Sequence, residues 1–385
     1  MRVDLVHSLQ RVDPAEWDGL VHEDDPFTTH AFLWALEQSG CVGPGTGWQP
    51  CHLLARDEDG ALRAAMPLYL KGDSFGEYVF DWSWAEAAVS AGIPYYPKLV
   101  SAVPFTPVTG RRLLLAPRQD PGLRDLLLQA AQQLAVSLGA SSIHWLFPTR
   151  EEHDLLVRQP GCMSRLDYQF HWTNPGYTSF EHYVAALRAP ARKNLRHERE
   201  RAAASGLELV TLCGEAISDA QFQALYRFYR DTTSRKWGRA YLNREFFQLL
   251  RQNLGPRLVA TLALDGDRPV AGALNVQRGQ VLYGRYWGSL VRQDSLHFEL
   301  CYHRPIELCI DRGFSRFEAG AQGSHKLKRG LVPAATHSVH WVRHPALARA
   351  VEQFLQQERV AVQREMEAVA LHGPFRRDAQ EISTR

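Results

Sequence analysis

The densest group of reactive side chains lies in Glu318-Ala319-Gly320-Ala321-Gln322-Gly323-Ser324-His325-Lys326-Leu327-Lys328-Arg329-Gly330. An acid, an imidazole and three cations sit among three glycines, just beyond a strand-like run. Glycine lets a backbone turn tightly and approach a ligand closely. Lysine and arginine next to such turns supply contacts to an anion. Glu318 and His325 are the candidates for moving a proton, and Lys326 and Lys328 for holding a phosphate. The segment is not a Walker loop, because the Gly-Lys-Ser/Thr ending is absent. The competing reading is an ordinary glycine-containing loop with solvated cations.

A second group, Arg188 to Arg201, holds six Lys/Arg and two Glu. On a helix starting after Pro190, Arg192, Arg196 and Arg199 share one face, being four and three residues apart. With Lys193 they form a stripe able to track the phosphates of RNA or of a nucleotide-linked substrate. The alternative is a solvated helix laced by Glu198 and Glu200. Asp81, inside Tyr78-Val79-Phe80-Asp81-Trp82-Ser83-Trp84, is a carboxylate among bulky aromatics and needs either partners or a raised pKa there. Arg285-Tyr286-Trp287-Gly288 ends a strand-like run and adds a cation and two rings as candidate substrate contacts. Gly40 to Trp48 is glycine-rich but has no lysine, which suits a surface loop or substrate lid better than a phosphate cradle. No metal site is expected. His337 and His340 lie three apart in a strand-like run and point to opposite faces, and Cys301 and Cys309 have no matching His pair. There is no Gly-x-Ser-x-Gly elbow and no dinucleotide fingerprint.

These residues need elements to hold them. Residues 49–56 and 61–70 read as a hairpin around Asp57-Glu58-Asp59-Gly60, and 257–288 as a three-stranded antiparallel meander with turns at Asp265-Gly266-Asp267 and Gly279. Leu123, Leu127, Leu134 and Leu138 mark a helix with Asp120 as N-cap, Pro121 in its first turn and Gly139 as its stop. The strand 142–147 follows. A helix over 294–312, ended by Gly313, precedes the strand 314–318, and Pro305 should kink it, at a cost of about 3 kcal/mol if uncompensated. Each half thus runs hairpin, helix, strand. That is an α+β pattern used twice. A last helix spans roughly 345–368.

The chain has 385 residues, with 44 Lys+Arg against 42 Asp+Glu and a net charge of +2. At about 150 residues per domain this is material for two or three domains. Any nucleic-acid contact must come from a local patch, since the chain is not basic overall. No stretch approaches the ~18 apolar residues of a membrane span, and no signal-peptide core is present. Six cysteines without a Cys-x-x-Cys pair are not a disulfide framework. A cytoplasmic protein without membrane insertion is the expectation.

Four groups of segments resemble a bacterial FemAB-like family of peptidoglycan biosynthesis/recognition proteins related to GNAT N-acyltransferases. They are Gly76-Glu77-Tyr78-Val79-Phe80-Asp81-Trp82; Tyr96-Pro97-Lys98-Leu99 with Val103 to Gly110; Leu296-His297-Phe298-Glu299; and Phe317 to Lys326. The resemblance runs from about residue 5 to about 370. It implies two GNAT-like domains packed across a cleft, as in Fem-type aminoacyl transferases, with domains at 1–170 and 171–345 and a C-terminal helix and tail at 346–385. It also implies an N-acyltransferase that moves an aminoacyl or acyl group onto an amine, such as that of a small-molecule or lipid-linked cell-wall precursor. The donor would be aminoacyl-tRNA, with tRNA as a partner, or acyl-CoA, with no tightly bound cofactor. Two positions depart from the family: Ser324 stands where Glu is frequent, and Pro305 where proline is often absent. The acyl-CoA loop Arg/Gln-x-x-Gly-x-Gly/Ala is not recognisable in either half. A non-catalytic binder of a cell-wall precursor or RNA is the alternative function.

Overall fold

Proline decides how the first ribbon of strands is divided. In the computed structural model, which describes every residue except 24, 117–120, 238–239, 321–322 and 377–385, the expected hairpin is a ribbon interrupted at Cys51 and Pro67. On one side of the break, β3 (His52–Arg56) pairs with β4 (Leu62–Met66). On the other, β2 (Trp48–Pro50) pairs with β5 (Tyr69–Lys71). Pro67 has no N–H to give to a ladder, and the rung beside it is made by Cys51 N–H on Leu68 O at 2.9 Å. The halves then take different neighbours. β3 and β4 lie between β1 (Arg2–Val6) and β7 (Leu114–Leu115). β5 continues antiparallel to β6 (Lys98–Ser101), which is parallel to β8 (Ser142–Leu146).

The chain forms two compact units, each assembled from separated segments. The first comprises Met1–Tyr168, Tyr241–Phe246 and Ala335–Arg364; the second comprises Gln169–Ala240, Phe247–Ala334 and Glu365–Arg385. The sequence pattern suggests contiguous domains instead. In the first unit, the helix Pro121–Ser137 lays Leu123, Leu127, Leu128, Ala131 and Ala135 on Leu53, Met66, Ile143 and Trp145. Burying each leucine contributes roughly 1.5–3 kcal/mol. Gly139, at φ +66°, ends this helix as expected. Its expected N-cap, Asp120, lies outside the described residues. β8 is flanked on its other side by β15 (Val332–Val342), antiparallel to it through Ser338–Val342.

The second unit repeats the pairing pattern. β10 (Glu208–Cys213), β11 (Leu258–Asp265), β12 (Arg268–Arg278) and β13 (Val281–Ser289) are successively antiparallel. β13 is parallel to β14 (Arg316–Glu318), which is antiparallel to His171–Thr173 of β9 (Cys162–Thr173). In both units a helix precedes the strand that pairs in parallel, and a strand from elsewhere in the chain pairs antiparallel with its other edge. The architecture is α+β.

The expected helix 294–312 is one helical run with a wide turn in it: α-helical Leu296–Phe298, π-helical Glu299–His303, then α-helical Arg304–Asp311. Arg304 N–H reaches Glu299 O, five residues back. The next rung would need an N–H from Pro305, which has none. The hydroxyl of Thr261 on β11 donates to Leu300 O at 2.6 Å instead. The proline is therefore absorbed by a π turn and a side-chain hydrogen bond.

Candidate active site

In the second unit the pairing of β13 with β14 ends at Tyr283 opposite Glu318. Beyond it the chain turns through Gly320 (φ +77°) and Gly323 (φ +107°) into a short 3-10 helix, Ser324–Arg329, capped by Gly330 (φ +79°). At Gly323 a Cβ would crowd only the exposed His325 ring. At Gly330 space as well as φ excludes a side chain, because a Cβ there would overlap the hydroxyl of the buried Tyr183. That hydroxyl donates to Arg329 O at 2.9 Å. Residues 321 and 322 lie outside the described residues.

Glu318 is buried at the end of β14. Arg316 Nε lies 2.9 Å from Glu318 Oε1, and His171 Nε2 of β9 lies 3.7 Å from Oε2. Neither contact has hydrogen-bond geometry, so both carboxylate oxygens are without a hydrogen bond. The Arg316 contact is an attraction of charge only. Lys326 is also buried, and its ammonium donates to Gly320 O at 2.6 Å. Burial lowers its pKa to about 8. His325 and Lys328 are both exposed along the same short helix. His325 Nε2 meets the Tyr302 hydroxyl at 2.9 Å, and its ring lies 5.8 Å from His297 and 6.0 Å from Phe298. Trp287 joins this group through His297, at 5.1 Å.

The β13 candidates divide by face. Arg285 is the extra residue of a bulge in the strand, and its guanidinium lies over the Tyr286 ring, 5.5 Å from the centroid. Tyr286 faces away from Trp287, against Tyr229 and Phe247 at 5.1 and 5.4 Å. On that same side Gly288 lets the helix Asp219–Trp237 approach, since a Cβ there would overlap the Phe228 backbone. The structure thus brings Trp287 to His325, but it places Tyr286 in the packing of a helix.

Asp81 belongs to the first unit, where it is part of a buried charge cluster. The Lys98 ammonium donates to Ser74 Oγ at 2.8 Å, Glu77 Oε2 at 2.9 Å and Asp81 Oδ2 at 2.5 Å. The Tyr95 hydroxyl also donates to Asp81 Oδ2. Lys71 donates to Asp73 and to Phe75 O beside them. Burial pushes the Glu77 pKa up to about 7 in spite of Lys98. For Asp81 burial acts in the same direction, but Lys98 and His144 outweigh it and hold the pKa at about 2. Asp81 therefore finds partners, not a raised pKa, and remains ionised at neutral pH.

The basic stripe lies on the helix Ala189–Ala203, but its members differ. Arg192 donates to Ala185 O and Leu187 O, and Arg196 to Glu181. Arg199 is bound to Glu307 at 2.9 Å and lies over the Phe180 ring. Glu198 does not lace a solvated face, as its spacing suggests. It is buried with Leu195 and Ala202, which fall on the helix's inward side. There Arg329 grips both of its oxygens and His303 reaches Oε2 at 2.9 Å. In the first unit, His337 and His340 do point apart. His337 stacks on His153, and His340 Nδ1 meets His144 Nδ1 at 2.6 Å. Among the described residues no helix is long and apolar enough to cross a membrane.

A family model described as FemAB-like, peptidoglycan biosynthesis/recognition, matches residues 8–377. The chain belongs to the FemAB-like family. Solved structures share its fold at low identity. FemX is 11% identical, with a TM-score of 0.53 over 91% of this chain and 100% of its own. The C-terminal domain (DUF2156) of a putative lysylphosphatidylglycerol synthetase from Agrobacterium fabrum is 10% identical, with a TM-score of 0.51 over 88% of this chain and 94% of its own. No curated protein matches the sequence.

The segments that carry the FemAB-like resemblance are those that build the two clusters. Glu77, Asp81, Tyr96 and Lys98 come from its first two groups, and His297, Phe298, Glu318 and Lys326 from its last two. Reading residue by residue selects Asp81, Glu318, His325 and Lys326, but misses Glu77, Lys98, Tyr302 and His171. Glu77 and Lys98 stand in the family-like segments and could be found there. Nothing local marks Tyr302 or His171.

Proposed function

We propose that this FemAB-like protein is an N-acyltransferase that moves an aminoacyl group onto the amine of a cell-wall precursor. The observation that carries the reading is the family match over nearly the whole chain. The second unit also offers a buried carboxylate whose oxygens accept no hydrogen bond, at the start of a glycine-containing segment. An amine attacks a carbonyl only when a lone pair is free, so its proton must leave. In the proposed step the amine nitrogen bonds to the acyl carbon and its proton passes to Glu318. The bond from that carbon to the donor's ester oxygen then breaks, and the leaving oxygen takes the proton back. Lys326 and His325 flank the loop as donors toward the oxyanion or a phosphate, and Lys193 and Arg196 are the surface cations for a tRNA donor.

The test is a transfer assay pairing charged tRNAs, or acetyl-CoA, with an amine-bearing muropeptide precursor, with product read by mass spectrometry. New amide product that disappears in Glu318→Gln supports the reading. Affinity for the precursor without product from either donor class would establish the binding-only alternative.

A further inference from the structure

Glu318 faces His171 directly across the antiparallel β14–β9 pairing. The two are far apart in sequence, and both are buried, at 3% and 8% exposure. Directly opposed residues share one face of a sheet and interact as a pair. His171 Nε2 lies 3.7 Å from Glu318 Oε2, and neither atom has a hydrogen-bond partner. A small rotation of either side chain closes that gap. The charged groups around the pair are Arg316 on β14 and Lys326 from the loop, both cationic. Burial holds the His171 pKa below its ordinary value, with Arg316 and Lys326 acting the same way and Glu318 opposing them. A neutral imidazole carries one N–H, and a carboxylate is the acceptor it faces here.

We propose that His171 is a positioning residue: its Nε2–H, delivered by β9, orients Glu318 to receive the amine proton. This rests on the reading of Glu318 as the group that takes the amine proton. A hydrogen bond to the charged form of a carboxylate lowers its pKa. Without that donor Glu318 is a less well-oriented base, and the pH profile of transfer reports the change.

Two measurements test this. In the first, the His171 ring is titrated by NMR in ¹³C-histidine-labelled protein without any substrate, in wild type and in Glu318→Gln. If the pair is coupled, the variant's His171 titrates lower by about half a pH unit or more, because the carboxylate that favoured the imidazolium is gone. An unchanged titration overturns the inference. In the second, transfer from charged tRNA to the muropeptide amine is followed against pH. His171→Phe should move the acid limb of kcat upward by about one pH unit. His171→Gln, which keeps an N–H donor, should leave that limb near wild type. Equal limbs in wild type and His171→Phe, with only the melting temperature lowered, would make His171 structural. Wild-type kcat in Glu318→Gln would instead sink the assignment of Glu318 and leave the NMR result to judge the pairing.

Discussion

One ammonium, that of Lys98, satisfies three acceptors in a place where water does not reach. Removing one partner of such a buried group leaves an uncompensated charge and typically costs about 3–5 kcal/mol. Lys98→Met should therefore destabilise the protein by an amount in that range, measured by denaturant unfolding. Glu77 gives the cluster a pH dependence of known sign. Its folded pKa is raised to about 7 from an ordinary value of 4.5, so between those pH values the folded state holds a proton the unfolded chain has released. Stability then falls as pH rises through that window. Replacing Glu77 with Gln removes this dependence, so the variant should gain on wild type as pH rises from about 4.5 to about 7. Parallel behaviour of the two proteins over that range would refute the assignment. Asp81 is legible in the sequence because a carboxylate among aromatics demands an explanation. Its partners are not, since Lys98 lies 17 residues on and meets it only once β6 is in place.

At the scale of elements, the basic helix shows how periodicity finds a face but not its occupant. Spacing places Arg192, Arg196 and Arg199 together, yet Arg199 is held by Glu307 and Glu299 from the helical run 296–311. If tRNA is the donor, changing Lys193 and Arg196 to Gln should lower the slope of log K against log salt by roughly 0.7–0.9 for each phosphate no longer neutralised. Arg199→Gln should reduce the melting temperature and leave that slope alone. A binding curve that Arg199→Gln flattens as much as the other two would contradict the arrangement. The glycine loop is likewise set by local geometry: Gly330→Ala forces a Cβ toward the Tyr183 hydroxyl at positive φ. That change should cost about 1–3 kcal/mol, read as a lowered unfolding midpoint.

For the whole molecule, the decisive feature is that in each unit the strand that pairs in parallel takes its other partner from elsewhere in the chain. β15 supplies Val339 and His340 to the first unit, and the helix after it supplies Leu347, Val351 and Leu355 to a cluster with Trp84 and Tyr95. A fragment of residues 1–168 therefore lacks β15 and part of its core. It should expose apolar surface and unfold without a cooperative transition, as measured by dye binding and calorimetry. Cooperative folding of that fragment would show that β15 is dispensable. Long-range pairing of this kind also makes early loop-closure entropy large, so slow folding is expected.

The local elements follow from residue order alone. Alternation, glycine turns and proline positions located the ribbon, the meander, the helix Pro121–Ser137 and the order hairpin, helix, strand in each half, because these depend on interactions within a few residues. The FemAB-like segments also contain Glu77, Asp81, Lys98, Glu318 and Lys326, the members of the two buried clusters. The pairing of β15 with β8 and of β9 with β14, the grip of Arg329 on Glu198 and the placing of His171 opposite Glu318 came from tertiary contacts. Those pairs join residues from distant parts of the chain. Local pattern carries no information on them, because the free energy that selects them comes from burial and charge pairing available only after the sheets assemble.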